Sequence, residues 1–135
     1  MAQFDRKSKV EDRISVILNY ENNYHAHLIS GYNLAYQNFY EIWGNSGKMK
    51  LSRAYNIPSD MKPTLSLTNS NYSKEIKIKN ENHFVIMIND FCKKILGLER
   101  DNFNFEADLL NQAKILESVR RSLREKREIH LSEIW

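Results

Sequence analysis

Hydrophobic positions along the chain recur mainly at steps of three and four. From Ser8 to Trp43 they fall at Val10, Ile14, Ile17, Tyr24, Leu28, Tyr32, Ala35, Phe39 and Ile42 or Trp43. That is the spacing of one helical face. Ser8 with Glu11 three residues on completes a capping-box signature. Glu21-Asn22-Asn23 interrupts the stripe, so the pattern predicts either two helices or one long bent helix. Gly44-Asn45-Ser46-Gly47 is expected to end it, because Gly and Asn tolerate the left-handed conformation of a helix C-terminus. A short helix over Lys48–Tyr55 follows, stopped by Ile57-Pro58, since a residue before proline avoids the α region.

Residues 57–82 break the pattern. Pro63 and the Thr/Ser/Asn-rich stretch to Ser73 read as an irregular loop. Lys74 to Lys79 alternates apolar and charged, so a β-hairpin within this insertion is one reading. Asn82 is placed to cap a helix over His83–Leu96, with Phe84, Ile88, Phe91 and Ile95 on one face and Gly97 at its end. A last helix starts near Asn104. Leu109, Leu116 and Leu123 lie seven apart on it, joined by Ala113, Val119 and Ile134. The expected fold is all-α: an antiparallel bundle of about four helices, residues 1–135 forming a single helical domain.

Composition supports that expectation. The 135 residues contain four glycines and two prolines, against 41% apolar and 27% charged residues. So little turn punctuation argues against a β-sandwich or barrel. It also excludes a glycine-rich nucleotide loop, for no such motif is present. Asparagine, by contrast, occurs fifteen times. The single cysteine, Cys92, reads as a small hydrophobe and fits a reducing compartment, so a cytoplasmic location is expected. Met1 to Val10 has no apolar run and no stretch is long enough to span a bilayer, so neither a signal peptide nor a membrane association is expected.

Charge is nearly balanced, with 20 Lys/Arg against 17 Asp/Glu. Locally it is not. Lys114, Arg120, Arg121, Arg124, Lys126 and Arg127 crowd the last helix, which then reaches His130. Arg127 and His130 are three apart and would share a helical face. The plain reading of these residues is a solvated basic face whose histidine bonds to a neighbouring carboxylate. Glu21 and His25, four apart, would share a face where metal ligands could converge. His27 would point elsewhere, and a surface pair is the simpler reading, so no metal site and no cofactor are assigned. The aromatic run Tyr20, Tyr24, Tyr32, Tyr36, Phe39, Tyr40 and Trp43 offers stacking surfaces for bases, but its helical spacing favours core packing. Trp135, at the end of the leucine stripe, is expected to pack on the bundle or on a second chain.

The segment Arg124-Glu125-Lys126-Arg127-Glu128-Ile129-His130, an Arg and a His separated by five residues on the last long helix, resembles the HEPN superfamily (higher eukaryotes and prokaryotes nucleotide-binding domain). The aromatic helix Tyr24–Trp43 looks like an early core helix of that family. The resemblance implies a homodimer through the last helix and a metal-independent ribonuclease of toxin or defence type. In it Arg124 would neutralise the scissile phosphate and His130 would serve as acid or base. Arg120, Arg121 and Arg127 would add phosphate contacts, with RNA and a neutralising antitoxin or other protein as partners. Arginine's fork of donors and histidine's near-neutral titration suit those roles. The alternative reading is a non-catalytic helical interaction or oligomerisation module, or a nucleic-acid-binding accessory subunit.

Overall fold

A computed structural model describes residues 1–4, 10–98 and 103–135. Among these, seven strands and two α-helices form: β1 Ala2–Phe4, β2 Glu11–Asn19, β3 His25–Gly31, β4 Phe39–Gly44, β5 Gly47–Ser52, β6 Thr64–Thr68, β7 Ser73–Lys77, α1 His83–Ile95 and α2 Phe105–Glu125. All strand pairs are antiparallel, in the orders β1-β2-β3 and β4-β5-β6-β7. The all-α bundle is therefore overturned. The chain divides into two compact units, Met1–Ala35 with Asn102–Trp135, and Tyr36–Asp101.

The correction has a physical cause in each segment. In β2, Ile14, Val16 and Leu18 face one way and Ser15, Ile17 and Asn19 the other, which is strand alternation. The three-and-four spacing picks out Ile14 and Ile17 but skips Val16 and Leu18. β-Branched residues at Ile14, Val16 and Ile17 suit a pleated strand better than a helix. The break at Glu21-Asn22-Asn23 is a short 3-10 turn in which Asn22 and Asn23 hold φ of 60° and 62°. Asn33 and Asn56 are also left-handed, with φ of 56° and 48°. Asparagine tolerates that region because its short side chain bonds locally to the backbone. Turn chemistry thus resides in asparagine, and scarce glycine is no argument against strands here.

Gly44 and Gly47 do not end a helix. They face each other across the two-residue loop Asn45-Ser46 of the β4–β5 hairpin. The residues expected to form a helix at Lys48–Tyr55 instead contribute β5. The β-hairpin read as one possibility within 57–82 is present as β6 and β7, and it is not an insertion, because it completes the four-stranded sheet. Register puts Tyr40, Leu51, Leu65 and Ile76 in one row and Ile42, Met49, Leu67 and Lys74 in the next, on one face. The opposite face carries Glu41, Lys50, Ser66 and Glu75 in a row of alternating charge and polarity. The sheet is amphipathic.

The two helices stand where their caps put them. Asn82 Oδ1 accepts from the backbone N–H groups of Phe84 and Val85 (3.1 and 3.2 Å), and Gly97 takes φ +68° beyond the end of α1. Asn104 Oδ1 accepts from Ala107 N–H at 3.0 Å to start α2. The Ser8 capping site lies outside the described residues. Phe84, Ile88 and Ile95 on α1 are all more than half exposed. The leucine stripe of α2 also divides. Leu109 and Leu116 are exposed, whereas Leu123 joins Ile115, Ser118, Val119 and Ser122 on the face that lines a cleft with β2. Trp135 is exposed, and its neighbour Ile134, 4% exposed, is the buried apolar residue at that end. Among the described residues no helix is long and apolar enough to cross a membrane.

Candidate functional site

A concavity lies within the first unit, between β2 and the inner face of α2. It has a volume of about 720 Å³. Ile14, Val16 and Leu18 from the strand and Ile115, Val119 and Leu123 from the helix give it apolar walls. Its rim is polar. Asn19 Nδ2 donates to Glu128 Oε1 at 2.7 Å, and Asn19 Oδ1 lies 2.9 Å from His25 Nδ1. On the same face of the sheet as Asn19, Ser15 Oγ lies 3.0 Å from His27 Nε2. The two polar residues on the helix wall are satisfied internally. Ser118 Oγ donates to the Ile115 carbonyl at 2.8 Å and Ser122 Oγ to the Arg127 carbonyl at 2.6 Å. The cleft is thus an apolar trough with occupied polar edges, suited to filling by apolar side chains or a small apolar moiety.

The residues singled out in the sequence occupy one end of it. α2 ends at Glu125, and Lys126 takes φ +55° as a left-handed cap whose N–H donates to the Ser122 carbonyl. The chain then turns back, and Leu131–Glu133 form a single 3-10 turn with His130 at its head. Arg124 and His130 are therefore not on one helix. Arg124 pairs with Glu117 at 3.2 Å, two turns back along α2, and no hydrogen bond joins it to His130. His130 lines the cleft, and its backbone N–H donates to Glu133 Oε1 at 3.0 Å.

Arg127 and Arg121 are held by carboxylates. Arg127 grips Glu133 with two bonds, 2.7 and 3.2 Å, and donates to Glu125 at 2.7 Å. Arg121 donates to Glu125 at 2.6 Å and to the Glu133 carbonyl at 3.1 Å. The Arg127 fork, aided by the His130 N–H, pulls Glu133 down to a pKa of about 2. Arg121 lowers Glu125 likewise, and Arg127 is itself raised, chiefly by Glu133. Arg120 is exposed, with no carboxylate at ion-pair distance among the described residues. This stretch is a charge-compensated C-terminal clasp. Arg121, Arg124 and Arg127 are spent on neighbouring carboxylates, whereas Lys114, Arg120 and Lys126 have no ion-pair partner among the described residues.

The other sequence candidates separate in the same way. Glu21 sits in the 3-10 turn and His25 opens β3, so the helical face they were to share does not exist. No group of three metal-ligating side chains forms among the described residues. Most of the aromatic run lies on strands and loops and is exposed, Tyr24 at 69% and Trp43 at 80%, rather than packed in a helical core. Trp43 Nε1 donates to Glu41 at 2.8 Å, and this bond, with Lys48 beside it, holds the Glu41 carboxyl below its ordinary range. Cys92 is exposed on α1.

Comparison with known proteins bears on these corrections. No protein-family model matches the chain. Among curated proteins it is 25% identical over 100 residues to a dTDP-3,4-didehydro-2,6-dideoxy-α-D-glucose 3-reductase of Actinomadura kijaniata. Among solved structures it is similar to a 3-ketoreductase of A. kijaniata in complex with NADP and TDP-benzene. That likeness has a TM-score of 0.80 and 22% identity over 89% of this chain. An open conformation of that enzyme gives a TM-score of 0.67 over 75% of the chain. The fold is shared with part of a ketoreductase. The chain spans 30% of the curated relative and 37% of the solved one. These likenesses lie with an oxidoreductase and replace the HEPN ribonuclease expectation, together with its all-helical, toxin-type description.

The ketoreductase fold implies NADP, and the described residues do not fit it. A dinucleotide site of the usual kind needs a parallel strand–turn–helix unit with glycines under the pyrophosphate. Among the described residues every strand pair is antiparallel and no strand leads through a glycine turn into a helix. Gly31 ends β3, Gly44 and Gly47 flank a hairpin turn, and Gly97 follows α1.

Proposed function

We propose that this chain corresponds to the part of a sugar-ketone reductase that lies outside its dinucleotide-binding region. It supplies antiparallel-sheet surfaces for the reacting sugar and for contact with the nucleotide-binding part. The single observation that supports this reading is the structural likeness over 89% of the chain at a TM-score of 0.80. Two features of the chain agree with it. The antiparallel sheets and the chain's four glycines offer no pyrophosphate cradle, so the hydride donor must be held by other residues. The apolar face of α1, carrying Phe84, Ile88 and Ile95, is exposed, as expected of a surface made to meet another protein part.

The test is an exchange of segments. Residues 1–135 replace the superposable segment of the A. kijaniata 3-reductase, and NADPH consumption is followed with a dTDP-linked 3-ketosugar. The proposal predicts ketone-dependent NADPH oxidation by the chimera and none by residues 1–135 alone. A chimera that folds and binds NADPH, yet reduces no nucleotide-linked ketosugar, contradicts it.

A further inference from the structure

Arg53 stands apart from the paired arginines of α2. It follows β5 directly and holds φ +60°, a region that a long L side chain seldom adopts. Its guanidinium stacks on Tyr36, with Cζ 4.5 Å from the ring centroid. Its Nε is covered from water and has no hydrogen-bond partner, and no carboxylate lies at ion-pair distance among the described residues. A strained backbone and an orphaned donor are both costs, and such costs persist where the surroundings hold them for function.

The surroundings do hold them. Asn38 ties the two flanking strands together: its Oδ1 accepts from Tyr55 N–H at 2.6 Å and its Nδ2 donates to the Tyr55 carbonyl. The Ala54 N–H donates to the Asn38 carbonyl at 3.1 Å. The same Asn38 Nδ2 donates to Tyr36 Oη at 2.8 Å, which fixes the ring beneath Arg53 and leaves the phenol proton free to donate. The result is a preset guanidinium, uncompensated by any acid, with a phenol donor fixed beside it. A planar fork of donors with no counter-ion is complementary to an oxyanion such as phosphate.

We propose that Arg53, seated on Tyr36, is a binding residue for a diphosphate. The reductase reading enters only in naming the carrier, a nucleotide linked to a sugar. Binding draws the guanidinium onto the phosphate oxygens and gives Nε–H the acceptor it lacks, so the cost held in the free chain is released on binding.

The test titrates inorganic pyrophosphate and dTDP separately into the isotopically labelled chain while the Arg53 Nε–H resonance is followed. Both probes are expected to shift that resonance saturably. Arg53→Lys should weaken both at least tenfold, because an ammonium cannot reproduce the fork. Tyr36→Phe keeps the stack but loses the hydroxyl, and several-fold weaker binding is expected. Arg53→Gly is the decisive variant. Glycine accepts φ +60° without strain, so the melting temperature should stay within about 2 °C of wild type while binding is abolished. No shift with either probe at millimolar concentration overturns the proposal. So does undiminished binding by a folded Arg53→Gly or Arg53→Lys protein, or a response to dTDP without one to pyrophosphate. Failure here leaves the turnover of the chimera unaffected, and an inactive chimera leaves this titration unaffected, so the two proposals fail independently.

Discussion

Gly47→Ala should loosen the four-stranded sheet at its second strand, and the structure sets the size of the effect. Gly47 holds φ +146°, outside the comfortable range of an L residue. A Cβ placed there would stand 2.6 Å from the Thr68 carbonyl oxygen and 3.0 Å from Asn69 Cβ. The first of these is backbone of the neighbouring strand, so it cannot swing away as a side-chain tip could. Relief requires β5 and β6 to part at the Lys48–Thr68 pair, weakening a ladder bond worth about 1 kcal/mol. Forcing an alanine into that backbone region adds about 1–3 kcal/mol. The sum is about 2–4 kcal/mol, or a fall in Tm of about 8–16 °C at about 4 °C per kcal/mol. Gly44, its partner across the turn, is the internal control. A Cβ there meets only the Gly47 carbonyl oxygen, at 3.7 Å, so Gly44→Ala should change Tm little. Urea and thermal melts of both variants provide the comparison, with amide exchange at Met49 and Leu67 localising the change. Equal melting temperatures for the two variants would refute the reasoning.

Further outcomes follow from the same structure. Asn33→Gly should leave stability within about 0.5 kcal/mol, whereas Asn33→Val should cost more than about 1 kcal/mol, since φ 56° suits only residues that tolerate the left-handed region; urea midpoints decide, and equal midpoints would show that asparagine is not the turn-former there. Glu133 has its pKa depressed from about 4.5 to about 2, so its contribution to the clasp is complete above the unfolded value and disappears as pH falls through about 2. The His130 amide proton, which donates to Glu133, should therefore change shift with a midpoint near 2 rather than near 4.5, and Glu133→Gln should abolish the transition; a midpoint near 4.5 in wild type would dissolve the clasp.

What could be read directly from the residues was the helical part. Asn82, Asn104 and Gly97 are end signals with one physical meaning: α1 begins and ends beside Asn82 and Gly97 and α2 begins beside Asn104, while the end of α2 at Glu125 carries no such signal. The β6–β7 hairpin was also legible, in the alternation of Lys74 to Lys79, but the strands before it were hidden for two reasons. Aromatic and aliphatic residues at steps of three and four between Val10 and Trp43 mimic a helical stripe, although the β-branched run with Ile14, Val16 and Leu18 at every second position was the local signal that decides. Asn22, Asn23, Asn33 and Asn56 make turns that a count of glycine and proline does not register. The abundance of asparagine was visible in the composition, and its left-handed tolerance supplies the turns that the glycine count withheld.

The site was less legible than the fold. Arg121, Arg124 and Arg127 were conspicuous because they cluster, yet clustering with Glu117, Glu125 and Glu133 is what neutralises them. Arg53 has no cluster around it in the sequence. Its place on Tyr36, seventeen residues earlier, depends on the β4–β5 pairing that brings Asn38 to Tyr55. A residue whose setting is made by strand register gives no local pattern, and only the correct register reveals it.

The central claim is that this chain shares its fold with the part of a ketoreductase that does not hold the dinucleotide. Fluorescence titration of NADPH tests it most directly, using residues 1–135 alone and the segment-exchange chimera side by side. The account predicts no saturable change with residues 1–135 carrying Arg53→Gly, which removes the proposed diphosphate contact, and saturable binding by the chimera, because the antiparallel sheets carry no glycine cradle for a dinucleotide. Saturable NADPH binding by residues 1–135 that persists in Arg53→Gly would contradict it.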